Sequence, residues 1–291
     1  MKIFSLPPLL LTILLAFFSA SQAIENDLPG PSTQARFVPE RSDDFAWEND
    51  LIAFRAYGPA LRDGAENSGI DAWLKRVTYP IIDKWYRLSL EEGISYHEDH
   101  GEGLDNYKVG SSAGCGGTAI WINGKREPLE TFTRWEIHEE TRERTRFTLY
   151  YERKIDGSVF GEAKTISIEL GQRLFQVESF FTKDGEPAND LQVCVGLVNH
   201  GGKAEPYWDA EKGWIAYWGP LDGGKLGTGA RMKPGSIDTI RQIGKGGTEK
   251  HLLLIATTDI GGRIRYEAGY GWEKAGDITT RDSWINYLNK R

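Results

Sequence analysis

The sequence predicts an all-β protein, a large antiparallel β-sandwich, on three observations. Segments rich in β-branched and aromatic residues recur along the chain. Turn clusters such as Asp156-Gly157, Asp184-Gly185 and Asp222-Gly223-Gly224 separate them. Thirty-four glycines, ten tryptophans and twelve tyrosines suit strands and turns, while helical signal is thin.

The start of the chain is of another kind. Lys2, an apolar run over residues 9–18 and the small-x-small site Ser21-Gln22-Ala23 make a secretory signal peptide of residues 1–23. The run is shorter than the ~20 residues that span a bilayer. No Cys follows the cleavage site, so an exported protein without a membrane anchor is expected, periplasmic or extracellular. Residues 24–40 are polar and Pro-rich and read as a flexible or draped leader. Residues 41–291 read as one domain without linker or repeat, a length usual for large β folds.

Within that domain the strand segments are 45–57, 146–151, 165–170, 174–182, 193–198, 213–218 and 251–258. Residues 71–86 carry apolar residues near helical spacing, but Pro80 breaks or kinks any helix there. Residues 281–290 read as a short helix with Trp284, Tyr287 and Leu288 on one side. Cys115 and Cys194 leave two readings open in an exported protein, one disulfide or two buried thiols.

Charge narrows the partners. Thirty-five basic residues face 42 acidic ones, a net −7. An acidic chain without a basic tail argues against nucleic acid. It leaves room for an anionic substrate held by a local Arg/Lys pocket.

The densest chemistry lies in residues 96–110, YHEDHGEGLDNYKVG, which hold two of the five histidines. His97 and His100 stand three apart with Asp99, Glu102 and Asp105 around them, and Tyr107 and Lys108 follow. Gly101, Gly103 and Gly110 mark irregular backbone. Imidazoles titrate near neutral pH and also ligate metals. The spacing matches no strong ligand signature, so neither a metal nor another cofactor is expected.

Arg55 sits in strand segment 45–57 beside Leu51, Ala53 and Tyr57. A guanidinium among apolar neighbours needs an anion, either a substrate carboxylate or an internal Asp or Glu. Asn199-His200-Gly201-Gly202 ends an apolar strand, where residues often line a cleft or simply turn the chain. Tyr207, Trp208 and Trp218 follow, as sugar-stacking faces or as core. The run from Ser111 to Gly117 lacks both the P-loop Lys-Ser/Thr and the Gly-x-Ser-x-Gly of a hydrolase, and reads as close backbone packing. His138 belongs to a charged hairpin, and His251 begins an apolar strand.

Several of these segments together resemble a known family. They are DFAWEND (44–50) running on to RAYGPA (55–60), GIDAWLKR (69–76), YHEDHGEGLD (96–105), LVNH (197–200) and GYGWEKAGD (269–277). The likeness is to the exported bacterial proteins grouped as domain of unknown function family 4861. The resemblance implies a galactose-mutarotase-like β-supersandwich and a place in polysaccharide utilisation. It implies a role like that of an oligosaccharide dehydratase acting on ulvan, a sulfated algal polysaccharide. Such an enzyme removes water from a non-reducing-end uronic acid and leaves a 4,5-unsaturated sugar.

That chemistry is β-elimination, a carbon–oxygen lyase reaction on an acidic oligosaccharide. It needs a base for the C5 proton, an acid for the departing oxygen and cations for the carboxylate. The chain offers His97, His100 or His200 as base, Tyr107 or Tyr207 as acid, and Arg55 or Lys108 as clamp, with Asn199 beside His200. His97, His100, Asn199 and His200 are expected to converge on one cleft. A sugar epimerase or mutarotase, and a non-catalytic glycan-binding protein, remain as alternatives.

Overall fold

The computed structural model describes residues 29–246 and 250–290. The expected signal peptide lies outside the described residues. Three antiparallel sheets build the protein. The first contains β1 (Gln34–Val38), β2 (Asp44–Glu48), β3 (Ala53–Ala56), β4 (Ile70–Lys75) and β5 (Gly103–Leu104), in that spatial order. A second contains β6 (Cys115–Ile122), β7 (Lys125–Glu127), β13 (Gln192–Val198), β17 (Thr239–Ile243) and β18 (His251–Thr257), ordered β17-β18-β13-β6-β7.

The large central sheet holds β8 (Arg134–Glu140), β9 (Arg144–Ile155), β10 (Ser158–Glu169), β11 (Leu174–Lys183) and the short β12 (Glu186–Pro187). It continues with β14 (Glu205–Asp209), β15 (Trp214–Leu221), β16 (Gly224–Met232) and β19 (Arg263–Trp272). Its order is β14-β15-β16-β19-β11-β10-β9-β8, with β12 beside β11. The expected all-β sandwich is therefore what forms.

Both smaller sheets pack on the same face of the central sheet. Trp47 and Phe54 of the first sheet stack on each other at 5.6 Å and meet Phe175 of β11 at 5.8 and 4.8 Å. Gly116 of β6 lies against Ala268 of β19, and the Tyr266 hydroxyl donates to the Gly116 carbonyl at 2.8 Å. Large buried aromatics of this kind dominate core energetics. The opposite face of the central sheet is covered in part by α2 (Arg281–Asn289), which packs Trp284 and Leu288 against Trp214, Ala216 and Trp218. That helix is the one expected near the C-terminus.

Three expectations are corrected in detail. The leader ends earlier than residue 40, because residues 34–38 pair with β2 as β1. Residues 45–57 are a hairpin rather than one strand. Asn49 makes the turn: its Oδ1 accepts from the Leu51 and Ile52 amides at 2.8 Å each, and its Nδ2 donates to the Glu169 and Gln172 carbonyls. Residues 71–86 divide into β4 and then α1 (Ile82–Glu92), which begins after Pro80. Ile81 cannot cap α1 with its side chain; Glu48 does so from β2, accepting from the Ile81 and Ile82 amides. Cys115 and Cys194 are buried free thiols in neighbouring strands.

Candidate active site

Arg55 of β3 stands opposite Asp71 of β4 in register, so their side chains meet on one face of the sheet. Arg55 Nη2 donates to Asp71 Oδ2 at 2.6 Å and to Asp105 Oδ2 at 2.9 Å. Asp44 Oδ2 lies 3.8 Å from Nε. All four side chains are buried. The guanidinium is framed by the rings of Trp73 at 5.1 Å, Tyr57 at 5.5 Å and Tyr96 at 6.0 Å. Arg55 Nε and Nη1 and Asp71 Oδ1 have no hydrogen-bond partner among the described residues.

A glycine lets Asp105 reach this cage. Gly103 takes φ +124°, and a Cβ there would lie 1.9 Å from the Leu74 carbonyl oxygen, so only glycine allows β5 to lie against β4. The Asp105 amide then donates to the Tyr96 carbonyl at 2.8 Å and closes the loop. The loop's other acids hold it in place. Asp99 accepts from the Gly101 amide at 2.9 Å and from Arg76 at 3.0 Å. Glu102 accepts from Tyr79, from Lys84 at 2.5 Å and from Trp85 at 3.0 Å. Burial opposes ionisation of Glu102, but those donors win and hold its pKa below the usual carboxylate value. Asp99 and Glu102 are thus fasteners of the loop. Among the described residues no group of three or more His, Cys, Asp and Glu side chains is arranged to hold a metal ion.

The cage electrostatics run the other way. Burial pushes Asp44 up to about 6 in spite of Arg55 and Arg41. Burial, then the facing charge of Asp105, raises Asp71, and burial also raises Asp105. Two carboxylates deprived of water and facing each other across one guanidinium bind a proton more readily than isolated acids do.

His97 sits at the rim. Its Nδ1 is 2.7 Å from the Asp105 carbonyl oxygen and 3.7 Å from Asp105 Oδ2. A carbonyl can only accept, so Nδ1 carries the hydrogen and Nε2 is the free nitrogen of the neutral ring. The side chain is 61% exposed. The Tyr96 ring lies 4.6 Å from the His97 ring and stacks on Trp73 at 5.0 Å. Arg41 completes the rim, bonded to Asp44 at 2.7 Å and Glu66 at 2.8 Å. Burial and Arg55 both work against the Arg41 charge, but Asp44, Glu66 and Tyr96 together raise its pKa. A base therefore lies beside a phenol and two cations, above acids whose proton affinity is raised.

The model of domain of unknown function family DUF4861 matches residues 20–291. The chain belongs to this family. The DUF4861 chain is 36% identical over 267 residues to the uncharacterised protein P7 of Formosa agariphila, a match covering 88% of this chain and 66% of that relative's length. Among solved structures it is similar to a protein described as a kojibiose phosphorylase from the human microbiome. That likeness has a TM-score of 0.47 and 10% identity, and covers 90% of this chain and 35% of the other. It is also similar to an α-galactosidase from Lactobacillus brevis, with a TM-score of 0.38, 10% identity, and 87% and 42% of the two chains covered.

The other expected site residues of the DUF4861 chain fall as follows. Arg55 is corrected: its anions are Asp71, Asp105 and Asp44, and it is too deeply buried to clamp a substrate. Tyr107 is corrected too. It is buried, and its hydroxyl donates to the Gly114 and Val198 carbonyls at 3.0 and 3.3 Å. Burial raises its pKa, so it is a poor acid. Asn199 is a turn residue, donating to the Ala204 carbonyl at 2.8 Å and accepting from the Ala204 amide at 3.0 Å. His200 is fully buried, and burial lowers its pKa to about 4, which keeps it neutral.

The expected convergence of His97 and His100 with Asn199 and His200 on one cleft is not found among the described residues; only their loops approach each other. Tyr107 bridges them, its ring 5.9 Å from that of His200. His97 and His100 share no hydrogen bond or ring contact with Asn199 or His200. His100 is exposed, with Nε2 3.0 Å from the Ser95 carbonyl oxygen. Lys108 is exposed. Tyr207, on β14, bonds Glu205 at 2.6 Å and packs under Arg281, so it belongs to another region of the surface. Sequence reasoning missed Tyr96, Arg41 and Asp71. The usable signal was a charged residue inside an apolar strand, as in Ile70-Asp71-Ala72-Trp73.

Proposed function

We propose that this DUF4861 protein is an exported carbohydrate-active enzyme, an oligosaccharide dehydratase that acts by β-elimination on a non-reducing-end uronic acid. One observation carries the reading. The Asp105 carbonyl fixes His97 with Nε2 free at an exposed rim, next to Tyr96 and above a buried Arg–carboxylate cage.

His97 Nε2 takes the C5 proton, the C4–C5 double bond forms, and the C4 hydroxyl leaves as water with a proton from Tyr96. The Asp105 carboxylate, 3.7 Å from Nδ1, stabilises the imidazolium formed. Arg41, bonded to Asp44 at the rim, and Lys108, exposed three residues beyond Asp105, are the cations assigned to the negative charge that gathers on the sugar carboxylate. Arg55 acts indirectly, as the residue that positions Asp105. Export rests on the signal-peptide pattern of residues 1–23.

The test is a panel of acidic oligosaccharides, read by the ultraviolet absorbance of a 4,5-unsaturated uronate. Absorbance that grows with the native enzyme and fails with His97→Ala supports elimination. Exchange of solvent deuterium into C5 without absorbance would make the protein an epimerase instead. Neither signal on any oligosaccharide would sink the enzymatic reading of this site.

A further inference from the structure

The central sheet turns one face to the core, and beyond α2 its other face is open. Two polar rows cross that open face. Register places Arg231, Glu267, Gln176, Ser167 and Arg146 side by side on β16, β19, β11, β10 and β9. Two residues along, Arg265, Glu178, Thr165 and Thr148 make a second row on β19, β11, β10 and β9. The Thr148 and Thr165 hydroxyls lie 2.8 Å apart, and His138 Nε2 extends the row to β8, 2.7 Å from Thr148 Oγ1. Strands in a sheet lie ~4.8 Å apart, so the five-residue row is about 19 Å long. Lys212, Lys233 and Pro234 bound one end of a groove of about 510 Å³ over these rows.

The charge of this groove opposes that of the chain. Five cations line it, Arg146, Lys212, Arg231, Lys233 and Arg265, against two carboxylates, Glu178 and Glu267. Arg231 is paired with Glu267, and Arg265 with Glu178 at 2.5 Å. The side chains of Arg146 and Lys233 are exposed, and no hydrogen bond or ion pair engages them among the described residues. No hydrogen bond engages the Gln176 side-chain amide on this face among the described residues. Unpaired guanidinium and ammonium groups, set among hydroxyl and amide side chains, match a linear polymer carrying both carboxylates or sulfates and many hydroxyls. No exposed aromatic platform lines the groove for nucleobases, on which single-stranded nucleic acid would stack.

We infer that this face is a second glycan site, which binds an acidic polysaccharide chain across β9, β10, β11, β19 and β16, apart from the His97 rim. The inference rests on register and charge and does not depend on the elimination reading. Its function is to hold an acidic polymer at the protein by contacts that involve no bond making.

The experiment is affinity electrophoresis through gels containing polygalacturonate, alginate, dextran sulfate or neutral dextran, with single-stranded DNA binding measured in parallel. The probes are the native protein, the double variant Arg146→Glu/Lys233→Glu, Gln176→Ala and His97→Ala. Exposed positions 146 and 233 should leave the melting temperature unchanged, which is checked first. The native protein and His97→Ala should be retarded by acidic glycans and not by neutral dextran. Affinity should fall at least about tenfold in the double variant and about threefold in Gln176→Ala. Equal retardation of the double variant and the native protein would overturn the site. Binding to DNA as tight as to the uronates would overturn its assignment to glycans. Loss of retardation in His97→Ala would place the glycan at the other rim.

Discussion

Two cations are buried in adjacent strands of one sheet, Lys75 on β4 and Arg55 on β3, and they are held in opposite ways. Lys75 Nζ donates to Glu48 Oε2 at 2.6 Å, the Asn49 carbonyl at 2.8 Å and the Tyr79 carbonyl at 2.9 Å, which uses every hydrogen of the ammonium. Glu48 in turn accepts from Gln34 and from the first amides of α1. Around Arg55 a single nitrogen serves two carboxylates, while Nε, which has only the longer 3.8 Å ion pair to Asp44, Nη1 and Asp71 Oδ1 make no close hydrogen bond among the described residues. A buried polar group left unpaired costs about 1–3 kcal/mol. The Lys75 cluster thus fixes the turn, the helix start and the strand together. The Arg55 cluster gives up stability, and it is the one that adjoins an exposed histidine. Other buried polar atoms, those of His200 among them, also lack a hydrogen bond among the described residues, but at Arg55 the shortfall falls on a charged cluster beside an exposed imidazole, where function overrides packing.

Lys75 holds the closed cluster together. Lys75→Met should destabilise the fold by about 3–5 kcal/mol, because it strands Glu48 as an uncompensated buried charge. Urea unfolding measures this, and a loss below about 1 kcal/mol would mean that the closed cluster is not the scaffold described. His97→Ala should do the reverse. Turnover should fall about 100- to 10,000-fold, as expected for a lost general base, with the melting temperature unchanged. Steady-state rates alongside a thermal melt separate the two effects.

Arg55→Lys sharpens the contrast with a smaller expected change. An ammonium cannot reproduce the guanidinium's placement between Asp71 and Asp105. Stability should drop by about 1–3 kcal/mol. On the proposed reading, in which Arg55 positions Asp105 and touches no substrate, kcat should fall while KM holds. A raised KM with kcat unchanged would instead return Arg55 to the role of substrate clamp.

How far these regions were legible in the sequence follows from the same physics. Strand composition and turn pairs gave the all-β class, because those signals are local. Arg55 could be read as a cation in need of an anion, but the choice between an internal and an external anion is settled by register. Asp71 faces it only because β3 and β4 pair as they do. The hairpin at Asn49 was hidden, since its capping partners are carbonyls at residues 169 and 172. His97 was legible as a titratable group in a Gly-rich loop. Its tautomer depends on a carbonyl eight residues away, and no spacing rule reports that. Asn199 and His200 misled because a strand end beside glycines looks alike whether it lines a cleft or, as here, is buried.

The smallest expected effect is a change in the shape of a stability curve. Burial and Asp105 raise the folded-state pKa of Asp71 above the ~3.9 of an unfolded aspartate. Between those values the folded state binds more protons than the unfolded state, so this group's contribution is fully present below about pH 4. It is lost as pH rises through the folded-state value. Asp44, raised to about 6, acts in the same direction. His200 acts in the opposite one. Its folded-state pKa is lowered to about 4, so its contribution is present above the ordinary histidine value and is lost as pH falls toward 4. These opposed terms flatten the native curve and would hide either one alone. Asp71→Asn leaves Asp44 and His200 in place, so the difference between variant and native protein reports the Asp71–Asp105 pair that titrates together around Arg55. The variant should gain stability relative to the native protein as pH rises from 5 to 8. A tenfold change in proton affinity is worth about 1.4 kcal/mol, which sets the order of the gain. Urea midpoints at four or five pH values test it. Parallel curves for the two proteins would mean that Asp71 titrates alike folded and unfolded, and that the Arg55 cluster is as well compensated as the one around Lys75.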